Sequence, residues 1–189
     1  MPALPALPTL VALLPFALML LAVMPATSAS GGTAWRRFRV LAPAAFAAAG
    51  VSLLLQVADV AAPLPTGLGL SLAGTWVALL VQLLGTVIGS FSSRYLEGEA
   101  GQRRYVAALA AVLAGVHLLL LADRWVVLIA AWAAVGAALQ RLLCFYPDRP
   151  FALLAAHKKR LADRLADVLL VVAAALTWNE VGSGAFREI

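Results

Sequence analysis

The residues with most chemical potential lie in one stretch, Ala155-Ala-His-Lys-Lys-Arg-Leu-Ala-Asp-Arg-Leu-Ala-Asp167, which runs straight into an apolar segment ending at Trp178. On a helix Lys159 and Asp163 stand four residues apart, while Arg160 and Asp163, and Arg164 and Asp167, stand three apart. Each acid can therefore meet a base on one face. The uncharged run from Val168 to Asn179 gives only about 18 Å of helix, too short for a hydrocarbon core of roughly 30 Å. A membrane span here must draw Asp163, Arg164 and Asp167 to or below the interface, where ionisable groups are costly unless paired or facing a wet cavity. Two chemistries fit: the mouth of an ion pathway or a link in a proton relay, and an interfacial helix whose cations snorkel to headgroups while the acids balance them.

His117 sits inside another apolar run, where an imidazole can pass protons or simply hydrogen-bond a neighbouring helix. Gln82 and Gln140 are candidates for interhelical hydrogen bonds or for lining a hydrated path. Gly85-Thr-Val-Ile-Gly89 is a GxxxG sequence, which permits close helix packing. Soluble catalytic chemistry finds no foothold. The single cysteine, Cys144, excludes an internal disulfide and a Cys-x-x-Cys site, and His117 and His157 are too far apart for a helical metal pair. Gly67-Leu-Gly69 lacks the third glycine and the βαβ setting of a nucleotide loop. We expect no catalytic residue, metal site or cofactor in this chain, hence a non-enzyme.

Composition says what positions these groups. Of 189 residues 63% are hydrophobic and 12% charged, with mean hydropathy +0.96, the makeup of a membrane protein rather than a soluble domain. The fold expected is all-α, a polytopic transmembrane bundle of about six helices near Ala3 to Met24, Val40 to Ala58, Leu68 to Phe91, Tyr105 to Ala122, Trp125 to Leu143 and Leu161 to Trp178. Residues 1–67 form the first two spans and 68–189 the remaining four. Pro2, Pro5, Pro8 and Pro15 make the first helix irregular. Ala26-Thr-Ser-Ala-Ser30 looks like a cleavage region, yet no basic residue precedes the first apolar run, as a signal peptide would require.

Twelve of the 14 Lys and Arg fall after the first, third and fifth segments, leaving Arg124 and Arg187 on the other side. That asymmetry places the N-terminus outside and the basic connections in the cytoplasm. The net charge of +5 thus reads as topology, and the partner it implies is the lipid bilayer, with no nucleic acid. Trp35, Trp125 and Trp178 fall where an aromatic belt would lie.

Two stretches carry a family resemblance: Ser93-Arg-Tyr-Leu-Glu-Gly-Glu-Ala-Gly-Gln-Arg-Arg-Tyr105, and Phe145-Tyr-Pro-Asp-Arg-Pro150 with the downstream Ala-Ala-His-Lys-Lys and Asp-Arg-Leu-Ala-Asp. Over roughly residues 68 to 189 the chain resembles the proton-translocating antiporter-like membrane subunits, which include complex I subunit L and the Mrp-type antiporters. Its motif variants are most similar to the DabB-type subunits of DabA-DabB inorganic-carbon transporters. The resemblance implies that Lys158, Arg164 and Asp167 are ion-pathway candidates; His117 joins them only by its setting inside an apolar run. Arg149 matches the arginine of the family's proline-bracketed loop, and Lys159 and Asp163 are supporting charges. It implies energy-coupled uptake of bicarbonate or CO2 in a bacterial inner membrane, coupled to a proton or other cation gradient. It also implies a zinc-containing, carbonic-anhydrase-like DabA-type partner, so that any zinc lies there. Two departures stand out. The respiratory relatives carry Glu after the tryptophan of the fifth helix, where this chain has Trp132-Ala133. The family also has a dozen or more helices, so this sequence looks like an N-terminal portion of that architecture: a truncated product, a fragment or a split subunit. The alternatives are a proton-translocating subunit of a respiratory NADH-quinone oxidoreductase or of an Mrp-type cation/proton antiporter, or a truncated chain that serves assembly.

Overall fold

Apolar runs punctuated by Gly, Pro and short polar turns fold as six helices in a computed structural model that describes residues 6–24, 31–60, 64–146 and 148–188. They are α1 (Ala6–Val23), α2 (Gly31–Val57), α3 (Leu72–Tyr95), α4 (Gln102–Leu120), α5 (Trp125–Leu143) and α6 (Pro150–Val181), followed by a 3₁₀ turn at Phe186–Glu188. Extended pairing among the described residues is limited to isolated bridges. Four helices, α2 to α5, are long and apolar enough to cross a membrane. α1 offers the shorter apolar run Leu7–Val23, and α6 carries too many charges along its length to qualify by composition. The cleavage-like segment 26–30, together with Pro2, Pro5 and Pro147, lies outside the described residues.

Two helix starts differ from the sequence reading. α2 begins at Gly31 rather than Val40, so Arg36, Arg37 and Arg39 belong to helical turns and not to a loop. Trp35 and Phe38, three residues apart, bury at 3% and 1% exposure and give those turns an apolar face despite the arginines. α6 begins at Pro150 rather than Leu161 and runs for 32 residues, about 48 Å. Proline suits the first turn, where its missing N–H leaves no bond unmade, and the whole charged stretch then continues as helix. The other shifts are small and follow local capping. Ser71 caps α3 by accepting from the Gly74 N–H at 3.0 Å, and Gly101 turns the chain into α4 at φ 85°, a conformation that favours glycine. Trp35 does not join an aromatic belt, because it packs between Phe38 and Tyr105; Trp178 is exposed.

α1 to α4 pack together, α5 lies on α4, and the main contact of α6 is α5. The centre of the four-helix group is a carboxamide. Gln82 of α3 is fully buried and donates from Nε2 to the Ala42 carbonyl of α2 at 3.1 Å and to Met19 Sδ of α1 at 3.6 Å. Its Oε1 is 2.9 Å from His117 Nε2 of α4. With the amide nitrogen committed to a carbonyl, Oε1 accepts and His117 Nε2 donates. One side chain thus ties four helices where no water would otherwise satisfy them.

Small residues make that approach possible. A Cβ at Gly85 would collide with Leu113 of α4, and one at Gly89 with Phe38 of α2, so the two glycines of the GxxxG face different helices. Gly115 receives Val135 of α5, whose Cγ2 would lie 2.7 Å from an added Cβ. At one end of the bundle Gly69 N–H donates to Leu121 O, Asp123 N–H to Gly67 O and Trp125 N–H to Gly184 O. These bonds lace together the α2–α3 loop, the α4–α5 turn and the segment after α6. At the opposite end Tyr105 stacks edge-on against Phe145.

Replacing Gly89 by leucine drives a side chain into buried Phe38 and is expected to cost about 1–3 kcal/mol, whereas Val87→Leu on the exposed face leaves stability unchanged. Unfolding of the purified chain in bicelles reads both. Gln82→Leu and His117→Leu are each expected to cost about 1–3 kcal/mol, because each leaves a buried polar partner unmet. The double variant should lose clearly less than the two losses added. Strict additivity would sink the hydrogen-bond account.

Candidate functional site

The charged stretch of α6 meets α5 along a polar groove of about 590 Å³, lined on α5 by Trp132, Ala133, Gly136 and Gln140 and on α6 by Arg160, Asp163, Arg164 and Asp167. Lys159 fixes the register. Its Nζ donates to the Gly136 carbonyl at 2.8 Å and, as an i, i+4 partner, to the Asp163 carboxylate. Gly136 permits this geometry, since a Cβ there would lie 3.3 Å from Asp163 Oδ2. Gly136 also stands about 10 Å inside the Leu143 end of α5, so the ion pair lies at the level of a helix apolar enough to span a membrane.

Burying either ion at mid-membrane costs about 2.5–3.5 kcal/mol on insertion scales, which pairing and the extra carbonyl offset. The pair is not sealed: Lys159 and Asp163 retain 20% and 29% side-chain exposure. One turn further along, Asp167 is 28% exposed, and Arg164 reaches it only at 3.7 Å with 79% of its own side chain outside. Asp163 pairs with Lys159, and no ion pair to Arg160 is present among the described residues. Gln140 completes the groove: its Nε2 contacts Cys144 Sγ at 3.4 Å, while Oε1 is buried without a partner. Together these groups line a charged, partly open groove between α5 and α6 that reaches Asp167.

The remaining sequence candidates lie elsewhere. Lys158 is exposed on α6 and has no ion pair among the described residues. Arg149 precedes α6, with its guanidinium 4.5 Å above the Tyr146 ring. His117 is 3% exposed and held by Gln82, away from the α5–α6 groove. Beside it lies a space of about 20 Å³, room for a single water, bordered by Ser52, Ser71 and Thr75. No group of three His, Cys, Asp or Glu side chains among the described residues could hold a metal.

Gly136 escaped the sequence reading. Its signal was a glycine in an alanine-rich helix one turn after Trp132, the place where a charged side chain can reach a backbone carbonyl. The central position of Lys159, rather than Lys158, follows from the rotation of α6 against α5, which spacing along one helix leaves open.

No family model matches the chain. Among curated proteins it is 35% identical over 161 residues to the probable inorganic carbon transporter subunit DabB2 of Halothiobacillus neapolitanus, covering 76% of this chain and 29% of that protein. The probable inorganic carbon transporter subunit DabB of Hydrogenovibrio crunogenus is 33% identical over 130 residues, 64% of this chain and 25% of the relative. NADH-quinone oxidoreductase subunit L of Escherichia coli is 33% identical over 125 residues, 65% and 20% respectively. The chain therefore spans between a quarter and three tenths of the length of the two transporter subunits it matches. With a helical membrane fold and similarity to both groups, the chain resembles, over its matched residues, the antiporter-like membrane subunits that include DabB and subunit L.

Proposed function

We propose that this chain acts as a membrane subunit of an energy-coupled inorganic-carbon uptake complex, in which a proton or other cation gradient drives accumulation of bicarbonate or CO2 through a partner subunit. The observation that carries the reading is the similarity to two DabB-type subunits over most of the chain. The partner is a DabA-type, carbonic-anhydrase-like protein, and the zinc belongs to it. The location is a bacterial inner membrane.

The α5–α6 groove supplies a physical role for this chain's own residues. Asp163 and Asp167 offer carboxylates to a cation entering from the basic end, and Lys159 competes for Asp163. Protonation of Asp163 would release the Lys159 ammonium, leaving it held by the Gly136 carbonyl alone and free to swing toward the groove. Such an exchange moves positive charge along α6 without a large backbone motion. Arg164 lines the groove outside the Lys159–Asp163 pair and sets the field beside Asp167. By the family resemblance, Ala133 takes the place of a glutamate in the respiratory relatives. Ala133 lines this same groove, so here the acids come from α6.

A second reading, a proton-translocating subunit of a quinone oxidoreductase, is favoured by the similarity to subunit L. The missing acid after Trp132 weighs against it. A third role, assembly without conduction, separates from both by experiment.

Gentle solubilisation of the C-terminally tagged chain from native membranes should bring down a soluble zinc-bearing subunit in stoichiometric amount, read by mass spectrometry and metal analysis. Flavin and iron–sulfur subunits would instead select the respiratory reading. In the native host, deleting this chain and any paralogue should abolish labelled bicarbonate uptake. Asp163→Asn should bring uptake to background while the complex still assembles. Wild-type uptake in the Asp163→Asn and Asp167→Asn strains would leave an assembly role.

A further inference from the structure

A second cavity, of about 650 Å³, opens at the basic end of the bundle, where the last turn of α1, the first turns of α2 and α4 and the last turn of α5 meet. Five arginines line it: Arg36, Arg37, Arg103, Arg104 and Arg141. They come from three different helices and are all exposed. No carboxylate is among the residues lining it, and no ion pair to any of the five is present among the described residues. Arg37 Nη1 donates to the Met24 carbonyl at 3.0 Å. Like charges gathered at this density repel, and an anion that answers several at once lowers that cost.

The rest of the lining says which anion. Between the guanidinium groups the walls are Ala22, Val40, Val106 and Ala107, apolar surface continuous with helices that cross the membrane. A small inorganic anion would satisfy the charges and leave that surface in water. An acidic protein segment would have to reach below the level of the helix ends. A phosphodiester with acyl chains meets both demands: the phosphate oxygens take paired guanidinium N–H groups and the first methylenes cover the apolar wall. The positive-inside rule puts this end in the cytoplasmic leaflet, where anionic lipids gather, and basic pockets between spanning helices there suit such headgroups. We propose that this cavity is a binding site for the headgroup of an anionic phospholipid, which clamps α2, α4 and α5 together at the cytoplasmic face. The site is separate from the α5–α6 groove except that Arg141 borders both, so lipid occupancy would also hold the mouth of that groove.

The whole chain, purified in neutral detergent and stripped of lipid, is titrated with phosphatidylglycerol, phosphatidylcholine or inorganic phosphate while thermal unfolding and native mass spectra are recorded. Phosphatidylglycerol should raise the midpoint by several degrees and give a discrete one-lipid adduct. Phosphatidylcholine and phosphate should give neither. Arg36→Gln with Arg104→Gln should remove most of the shift, whereas Arg124→Gln, at the opposite end, should keep it. Adduct measurements on the unaltered chain stand apart from any folding defect in the variants. Equal effects of the two lipids, an equal effect of phosphate alone, or an undiminished adduct in the double arginine variant would each overturn the proposal. So would an acidic peptide that displaces bound phosphatidylglycerol without weakening on removal of these arginines.

Discussion

Four helices of this bundle answer to one carboxamide. Gln82 is sealed from solvent, and its two amide hydrogens and its oxygen are spent on three different helices. In a hydrocarbon setting an amide left half-bonded is expensive, so the arrangement admits little rotation of α3 relative to α1, α2 or α4. Everything else in the core accommodates that constraint. Gly85 and Gly89 bring α3 close enough to α4 and α2 for the bonds to close, and the alanines of α2 and α4 fill the remaining space without pushing the helices apart.

This rigid group contrasts with the α5–α6 edge. α5 docks on α4 through Gly115, but α6 contacts the bundle mainly through α5, and most of its apolar side chains face outward. What α6 gains from α5 is polar: a lysine on a backbone carbonyl, a carboxylate on that lysine, and a second carboxylate one turn on. A firmly bonded core thus stands beside a charged and partly open seam, whose pairing can change locally without disturbing the fold.

His117 shows how the two regions divide the chemistry. Its sequence setting, an ionisable ring in an apolar helix, matched a relay as well as it matched a structural bond. In the fold its Nε2 is engaged by Gln82, far along the chain, and no path of described acids links it to Asp163. The water-sized space beside it is lined by α1 to α4 and is separate from the groove.

Periodicity and charge are local or additive properties, and the sequence alone determined what depends on them: a helical membrane chain, the basic end of the bundle, and the two acid–base pairs within α6. Helix starts lie upstream of the expected spans where an aromatic pair or a proline supports further turns, at Gly31 and Pro150. The tertiary structure decided which neighbour each face meets. That Gln82 holds His117, that Gly85 and Gly89 serve different helices, and that Lys159 rather than Lys158 reaches the Gly136 carbonyl all depend on rotation about helix axes. Spacing fixes which residues share a face of one helix; only packing between helices fixes where that face points.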